Sequence, residues 1–298
     1  MRFLRASILL PVLIFICAFA NAQQVTPRFS ISVGGGYQVE NSNWSIAGNS
    51  NGTNPNIYSE LMWKKLQSPT VQASASWRFY KAFSLRAGFS RAFIQSGKVT
   101  DTDYGKDDRQ QPVYNGVFKD DKGNITAYTA TLAYTFSHTR YTLTPLLGYM
   151  YNRQALYVLP ADAGTPADLN TTYTARWQGA TIGLEATWLA NKHFSLTPSV
   201  QYYQLQYDAT ANWNLITQFQ HPVSFTHAAN GFAIAPGVQA AYHINAHTQI
   251  FLNGHYTHWD TGHGRDVLYL TSGEVDHTRL NEVKRDDTGV AAGITFSW

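Results

Sequence analysis

Between Tyr141 and Arg153 the sequence YTLTPLLGYMYNR alternates in character. Its odd positions, Tyr141, Leu143, Pro145, Leu147, Tyr149, Tyr151 and Arg153, are large and mostly apolar, whereas Thr142, Thr144, Gly148 and Asn152 among the even ones are small or polar. A period of two is the signature of a β-strand. An aromatic ring opens the greasy face, a pair of rings closes it, and a cation follows. That order predicts the outer face of a membrane-spanning strand, with rings at both lipid–water interfaces and a polar inner face.

The same pattern recurs along the chain. Phe29, Ile31, Val33, Gly35 and Tyr37 alternate with Ser and Gly, and Val71, Ala73, Ala75, Trp77 and Phe79 form the lower part of a second strand. That strand is expected from about residue 57 to 79, with an interruption near Ser68-Pro69. Further alternating runs are Phe83 to Phe89, Tyr128 to Phe136, Arg176 to Trp188, Phe194 to Tyr202, Ile234 to Tyr242, Ile250 to Tyr256 and Val290 to Trp298. The intervening loops alternate between short turns near residues 81, 139, 192 and 245 and long polar stretches, the largest so far from Ser96 to Gly123. Short turns on one side and long loops on the other characterise barrels of the Gram-negative outer membrane. The expectation is therefore an all-β fold, a transmembrane antiparallel up-and-down β-barrel of about ten strands. A soluble β-sandwich is disfavoured because its outward face should be polar.

Composition sharpens this picture. The chain is 14% aromatic and only 14% charged, yet its mean hydropathy is below zero. Helical membrane proteins need runs of about 20 apolar residues, and soluble domains usually carry more charge. Alternation conceals hydrophobicity in a barrel, so it accounts for both features. At the N-terminus, Arg2 and Arg5, an apolar run from Ile8 to Phe19 and Ala20-Asn21-Ala22 predict a signal peptide over residues 1–22, leaving residues 23–298 as the barrel. Cys17, the sole cysteine, falls inside that leader, so no disulfide is expected. Loss of the two arginines lowers the formal charge from +3 to +1, which gives no overall basic field for nucleic acid.

Three groups of residues could carry chemistry. Asp101 and Asp103 are two apart, so on a strand they share a face and would raise one another's pKa; solvated loop acids are the plainer alternative. DTDYGKDD misses the spacing of a recognised calcium loop, and no cofactor is implied. His255, His258, Asp260 and His263 crowd the top of the ninth strand, but an H-x-x-H spacing puts its histidines on opposite faces. Arg153 and Arg176 stand on the lipid-facing parity of neighbouring strands, just above the tyrosines at 149 and 151. Arginine forks suit phosphate, which lipopolysaccharide carries at that height; interfacial snorkelling is the alternative.

With the strands placed, the chain resembles the omptins, ten-stranded outer-membrane proteases of Gram-negative bacteria. Ser59-Glu60-Leu61-Met62-Trp63-Lys64 is similar to that family's S-x-L-x-W-K on the second strand, and Thr100-Asp101-Thr102-Asp103-Tyr104 to its D-x-D-aromatic. Gly148-Tyr149 with Arg153 is similar to G-Y-x-x-x-R, and Arg176-Trp177 with Ile182-Gly183-Leu184 to R-F followed by I-G-L. The resemblance implies that Asp101 and Asp103 form one half of a peptidase site whose other half is an Asp-x-His on the seventh strand. Asn212 and Asn214 occupy those positions, and Asn cannot act as a general base. Asp208 or His221 could substitute. The resemblance also implies a lipopolysaccharide site at Tyr149, Arg153 and Arg176, with Tyr151 in place of the family's acidic residue. The expected function is thus an omptin-like, lipopolysaccharide-associated barrel with a degenerate protease site. An active cell-surface endopeptidase acting on peptides is one alternative, and a small pore or structural barrel another. Arg78, Arg86, Glu185, Gln72, Gln201 and Gln239 on the inner face could fill a narrow lumen, which counts against the pore. Expected partners are outer-membrane lipid, lipopolysaccharide and, through the terminal Trp298, the outer-membrane assembly machinery.

Overall fold

A computed structural model describes residues 27–298, so the expected signal peptide over residues 1–22 lies outside the described residues. The chain runs through β1 (Phe29–Ile46), β2 (Ser59–Tyr80), β3 (Phe83–Phe93), β4 (Ser96–Lys106), β5 (Gln110–Lys119), β6 (Asn124–Tyr134) and β7 (Phe136–Ser137). It continues through β8 (Tyr141–Val158), β9 (Thr171–Leu189), β10 (Phe194–Asn212), β11 (Phe225–His243), β12 (Thr248–Thr261), β13 (Gly264–Tyr269) and β14 (Val275–Ser297). Neighbours pair antiparallel, and β1 bonds both β2 and β14, which closes the sheet. Ten strands make the wall: β1, β2, β3, β6, β8, β9, β10, β11, β12 and β14. The hairpins β4–β5 and β13 with the start of β14 rise above it.

The lipid-facing band has two ring levels. Phe29, Phe79, Tyr141, Trp188, Phe194, Tyr242 and Trp298 are exposed at the short-turn end, and Tyr37, Tyr128, Tyr149, Tyr202 and Tyr256 at the other. Phe29 to Tyr37 is eight residue steps, which at about 3.3 Å each spans roughly 26 Å. With the strand tilt of about 40° usual in such barrels this is roughly 20 Å of height between the two ring positions, most of the apolar band of about 25 Å.

Polarity inverts along each strand at the upper ring level. Below it the exposed side chains are Ile31, Val33, Leu147, Ile182 and Leu184, and the inner face carries Ser32, Thr144 and Thr181. Above it the outside turns polar, with Asn41, Asn43, Thr172 and Thr174, and the inside becomes an apolar core of Trp44, Leu61, Trp63, Tyr173, Trp177, Leu205 and Trp259. The solvent explains the switch. Lipid rewards an apolar outside, whereas above the membrane water bathes the outside and apolar groups gain by collecting within.

Two cross-lumen ties brace the interior. Arg86 on β3 reaches Glu185 on β9 at 2.7 Å, inside the membrane band. Higher up, Arg285 donates to Glu40 at 2.8 Å and to Asn152 at 2.8 Å, while Gln154 donates to Glu40 from the opposite wall. Trp177 donates to Gln154, Trp259 donates to Asp287, and the Arg285 guanidinium lies 4.5 Å from the Trp259 ring centroid. Glu40 and Arg285 are 0% and 2% exposed, so this layer fills the barrel just above the upper rings.

Two expectations are corrected. The second strand is not interrupted at Ser68-Pro69: Pro69 pairs with Tyr37 on the outer face. The irregularity lies at Lys64–Lys65, where Lys65 has a φ of 54° and the inward parity switches from Leu61 and Trp63 to Leu66 and Ser68. The polar stretch from Ser96 to Gly123, expected as a long loop beyond the strands, is itself the β4–β5 hairpin, with β4 paired to the upper half of β2.

Candidate functional site

Two places on the outer half of the barrel gather candidate residues. The first is a collar at the upper ring level. Strand register sets Arg153 on β8 directly opposite Arg176 on β9, with Tyr149 four residues below Arg153 on the same face. Like charges facing each other across a strand pair are unfavourable without an anion between them. One carboxylate is near: Asp208 on β10 lies 3.3 Å from Arg176, with both side chains nearly half exposed. Arg153 makes no ion pair among the described residues. Tyr151 and Tyr128 stand with ring centroids 6.4 Å apart beside it. The collar therefore offers two guanidinium groups and a tyrosine to an anion at the membrane surface, with Asp208 opposing one of them.

The second place is the mouth. Asp101 and Asp103 pair with Leu61 and Ser59 in the inward parity of β2, so they share a face as their spacing predicts. They line a cleft of about 450 Å³ whose other walls include Trp44, Trp213, Phe225, Leu268 and Asp266. Burial raises Asp101 to about 7, with Asp103 adding to the rise; burial also raises Asp103, against a hydrogen bond from Ser59. Their mutual repulsion is thus secondary to the loss of water.

The residues named for the missing half stand elsewhere. Asn212 accepts from His221 at 2.7 Å, and Asn214 accepts from the Asn170 amide at 2.9 Å and donates to the Asp168 carbonyl, so both pin loops and neither lines the cleft. Asp208 faces outward on the collar. The ninth-strand histidines part as expected: His255 faces the lumen 3.2 Å from Asp287, and His258 faces outward 2.8 Å from Asp286.

One arrangement escaped the sequence. His227 on β11 is buried behind Trp44, with Nδ1 2.8 Å from the Tyr173 hydroxyl, which in turn contacts the Tyr207 hydroxyl. Its Nε2 lies 3.1 Å from Asp266, too oblique for a directed hydrogen bond. The signal was the parity of Phe225, His227 and Ala229 on a strand whose upper half turns its core inward. The partner, Asp266, comes from a hairpin that alternation does not mark.

The sequence of the family described as Protochlamydia outer membrane protein matches residues 32–298, nearly the whole described chain. The chain belongs to that family. No curated protein matches it. Among solved structures, this family member is similar in fold to the outer-membrane protease OmpT from Escherichia coli, at 12% identity and a TM-score of 0.69, covering 94% of this chain and 100% of that one. It is also matched by the outer-membrane protein OprG from Pseudomonas aeruginosa, at 11% identity and a TM-score of 0.42 over 92% and 97% of the two chains. The Protochlamydia outer membrane protein family assignment and the closed barrel together locate the chain in the Gram-negative outer membrane.

The mouth makes a pH prediction. A carboxyl whose folded pKa is raised favours folding below its ordinary value near 4 and loses that contribution as pH rises through about 7. Asp101→Asn should therefore raise the resistance of the barrel to urea at pH 8 and change little at pH 4. Because the carboxyl still reaches the water of the cleft, the gain is on the order of 1 kcal/mol, well below the sum that ~1.4 kcal/mol per pKa unit would give over the whole rise. Equal effects at both pH values would contradict the assignment.

Proposed function

We propose that this barrel works from its outer surface, as a lipopolysaccharide-associated protein of the outer membrane whose omptin-like peptidase site is incomplete. One observation carries the reading: the register that sets Arg153 opposite Arg176 above Tyr149, on the lipid side of the wall. Two planar cations held face to face make a site for a doubly bonded phosphate. Asp208 opposes only Arg176, and its 3.3 Å contact is the loose pairing of half-exposed groups, worth little in water. The exposed Trp298 at the lower girdle remains the feature offered to the assembly machinery.

The test is lipopolysaccharide affinity of the purified barrel. Charge-assisted hydrogen bonds contribute about 1.5–3 kcal/mol each, so Arg153→Ala with Arg176→Ala should weaken binding at least about tenfold. An unchanged affinity would end the proposal. The acids of the mouth have no histidine among the cleft-lining residues, which supports the incomplete peptidase site. A peptide library should survive incubation; cleavage abolished by Asp103→Ala would restore the enzyme reading.

A narrow channel is the second reading, favoured by one observation. Polar cavities of about 260 and 180 Å³ share Gln72, Ser90, Ala127 and Thr129 and run up the lumen beneath the Glu40–Arg285 layer.

A further inference from the structure

We propose that the mouth cleft binds a small organic cation, an amine with a flat apolar body and an acceptor oxygen. The argument begins with charge. The lining carries the carboxylates of Asp101, Asp103 and Asp266 and no Lys, Arg or His. Asp266 is already engaged, accepting from the Thr278 hydroxyl at 2.8 Å and facing His227. Asp101 and Asp103 make no ion pair among the described residues, and Arg109 of that hairpin is committed to Glu60 on the other face of β2 at 2.7 Å. A pair of half-buried carboxyls on one face, lacking a counter-charge, is receptive to a cation.

The second observation is independent of charge. Trp44 is 4% exposed and stands in the cleft wall, yet its indole N–H has no hydrogen-bond partner. A buried donor left unmade costs about 1–3 kcal/mol, which a ligand oxygen would recover. Around it the rings pack on one another as a flat apolar wall of the cleft: Trp44, Trp213 and Phe225 have centroids 4.7 to 6.4 Å apart. Aromatic faces near carboxylates stabilise an alkylammonium group through the ring quadrupole as well as by excluding water. The volume of about 450 Å³ falls in the range of small-molecule sites. This site is separate from the collar, so its failure leaves the lipopolysaccharide reading untouched.

Tyramine supplies all three features and serves as the probe. Tyrosol replaces its ammonium by a hydroxyl, and phenethylamine lacks its phenolic oxygen. Calorimetric titration of the purified full barrel in detergent should show saturable tyramine binding, with tyrosol at least about tenfold weaker. Asp101→Asn with Asp103→Asn should weaken tyramine by a similar factor. Trp44→Phe, which keeps a ring and removes the donor, should weaken tyramine while leaving phenethylamine unchanged. Retained gel mobility of the folded form confirms that each variant is intact. Equal affinity for tyrosol, an unchanged affinity in the double Asn variant, or no saturable tyramine binding at millimolar concentration would each overturn the proposal.

Discussion

Arg285→Ala is expected to lower the stability of the barrel by about 3–5 kcal/mol, the cost of leaving a buried charge without its partner. Arg285 holds Glu40 through two nitrogens, at 2.8 and 2.7 Å, and reaches Asn152 across the lumen. Glu40 is 0% exposed and Asp287, which the same guanidinium approaches at 3.8 Å, is 6% exposed. Removal of the cation leaves two buried carboxyls and an uncovered Trp259 ring. Urea unfolding in detergent measures the loss. Adding Glu40→Gln to the same chain should restore part of it, because the uncompensated carboxylate is then gone. A loss under about 1 kcal/mol would mean that water reaches this layer and screens it.

The second large effect concerns Gly148 on β8. Its inward position faces Thr131 on β6, and a Cβ there would stand 2.1 Å from the Ala130 carbonyl oxygen and 2.6 Å from the Thr131 methyl. The first of these is backbone and cannot swing aside. Gly148→Val must therefore push β8 from β6, breaking ladder hydrogen bonds in a membrane where nothing else can satisfy them. The expected outcome is failure to fold, seen as loss of the fast-migrating unheated form on a gel, whereas Leu147→Val on the lipid face should fold normally. Normal folding of Gly148→Val would contradict the close approach.

The membrane-spanning halves of the strands were legible because lipid leaves a simple mark. Phe29 to Tyr37 and Tyr141 to Arg153 show large outside and small inside, and the strand parity of Arg153 and Arg176 followed from it. The upper halves were harder to read. There the apolar face turns inward, so a window that looks for greasy outward positions stops at Tyr37 while β1 continues to Ile46. The β4–β5 hairpin hid in a polar composition because its outer face meets water. The bulge at Lys65 hid for another reason: it shifts the parity of β2 without changing its residue types, and Pro69 drew the eye to a false break. The aspartate pair was legible as a pair, since spacing alone sets a shared face. Its setting was not, because the rings around it come from β1, β11 and the loop after β10, and only closure of the barrel brings them together.

Those observations converge on a barrel with a closed lumen, whose interactions take place on the collar and at the mouth. Conductance across a planar bilayer tests that most directly. The wild-type barrel should show no sustained open channel, and Arg285→Ala should introduce current steps by removing the layer that separates the polar cavities from the mouth. Stable open channels in the wild-type protein, unaffected by that substitution, would contradict the account.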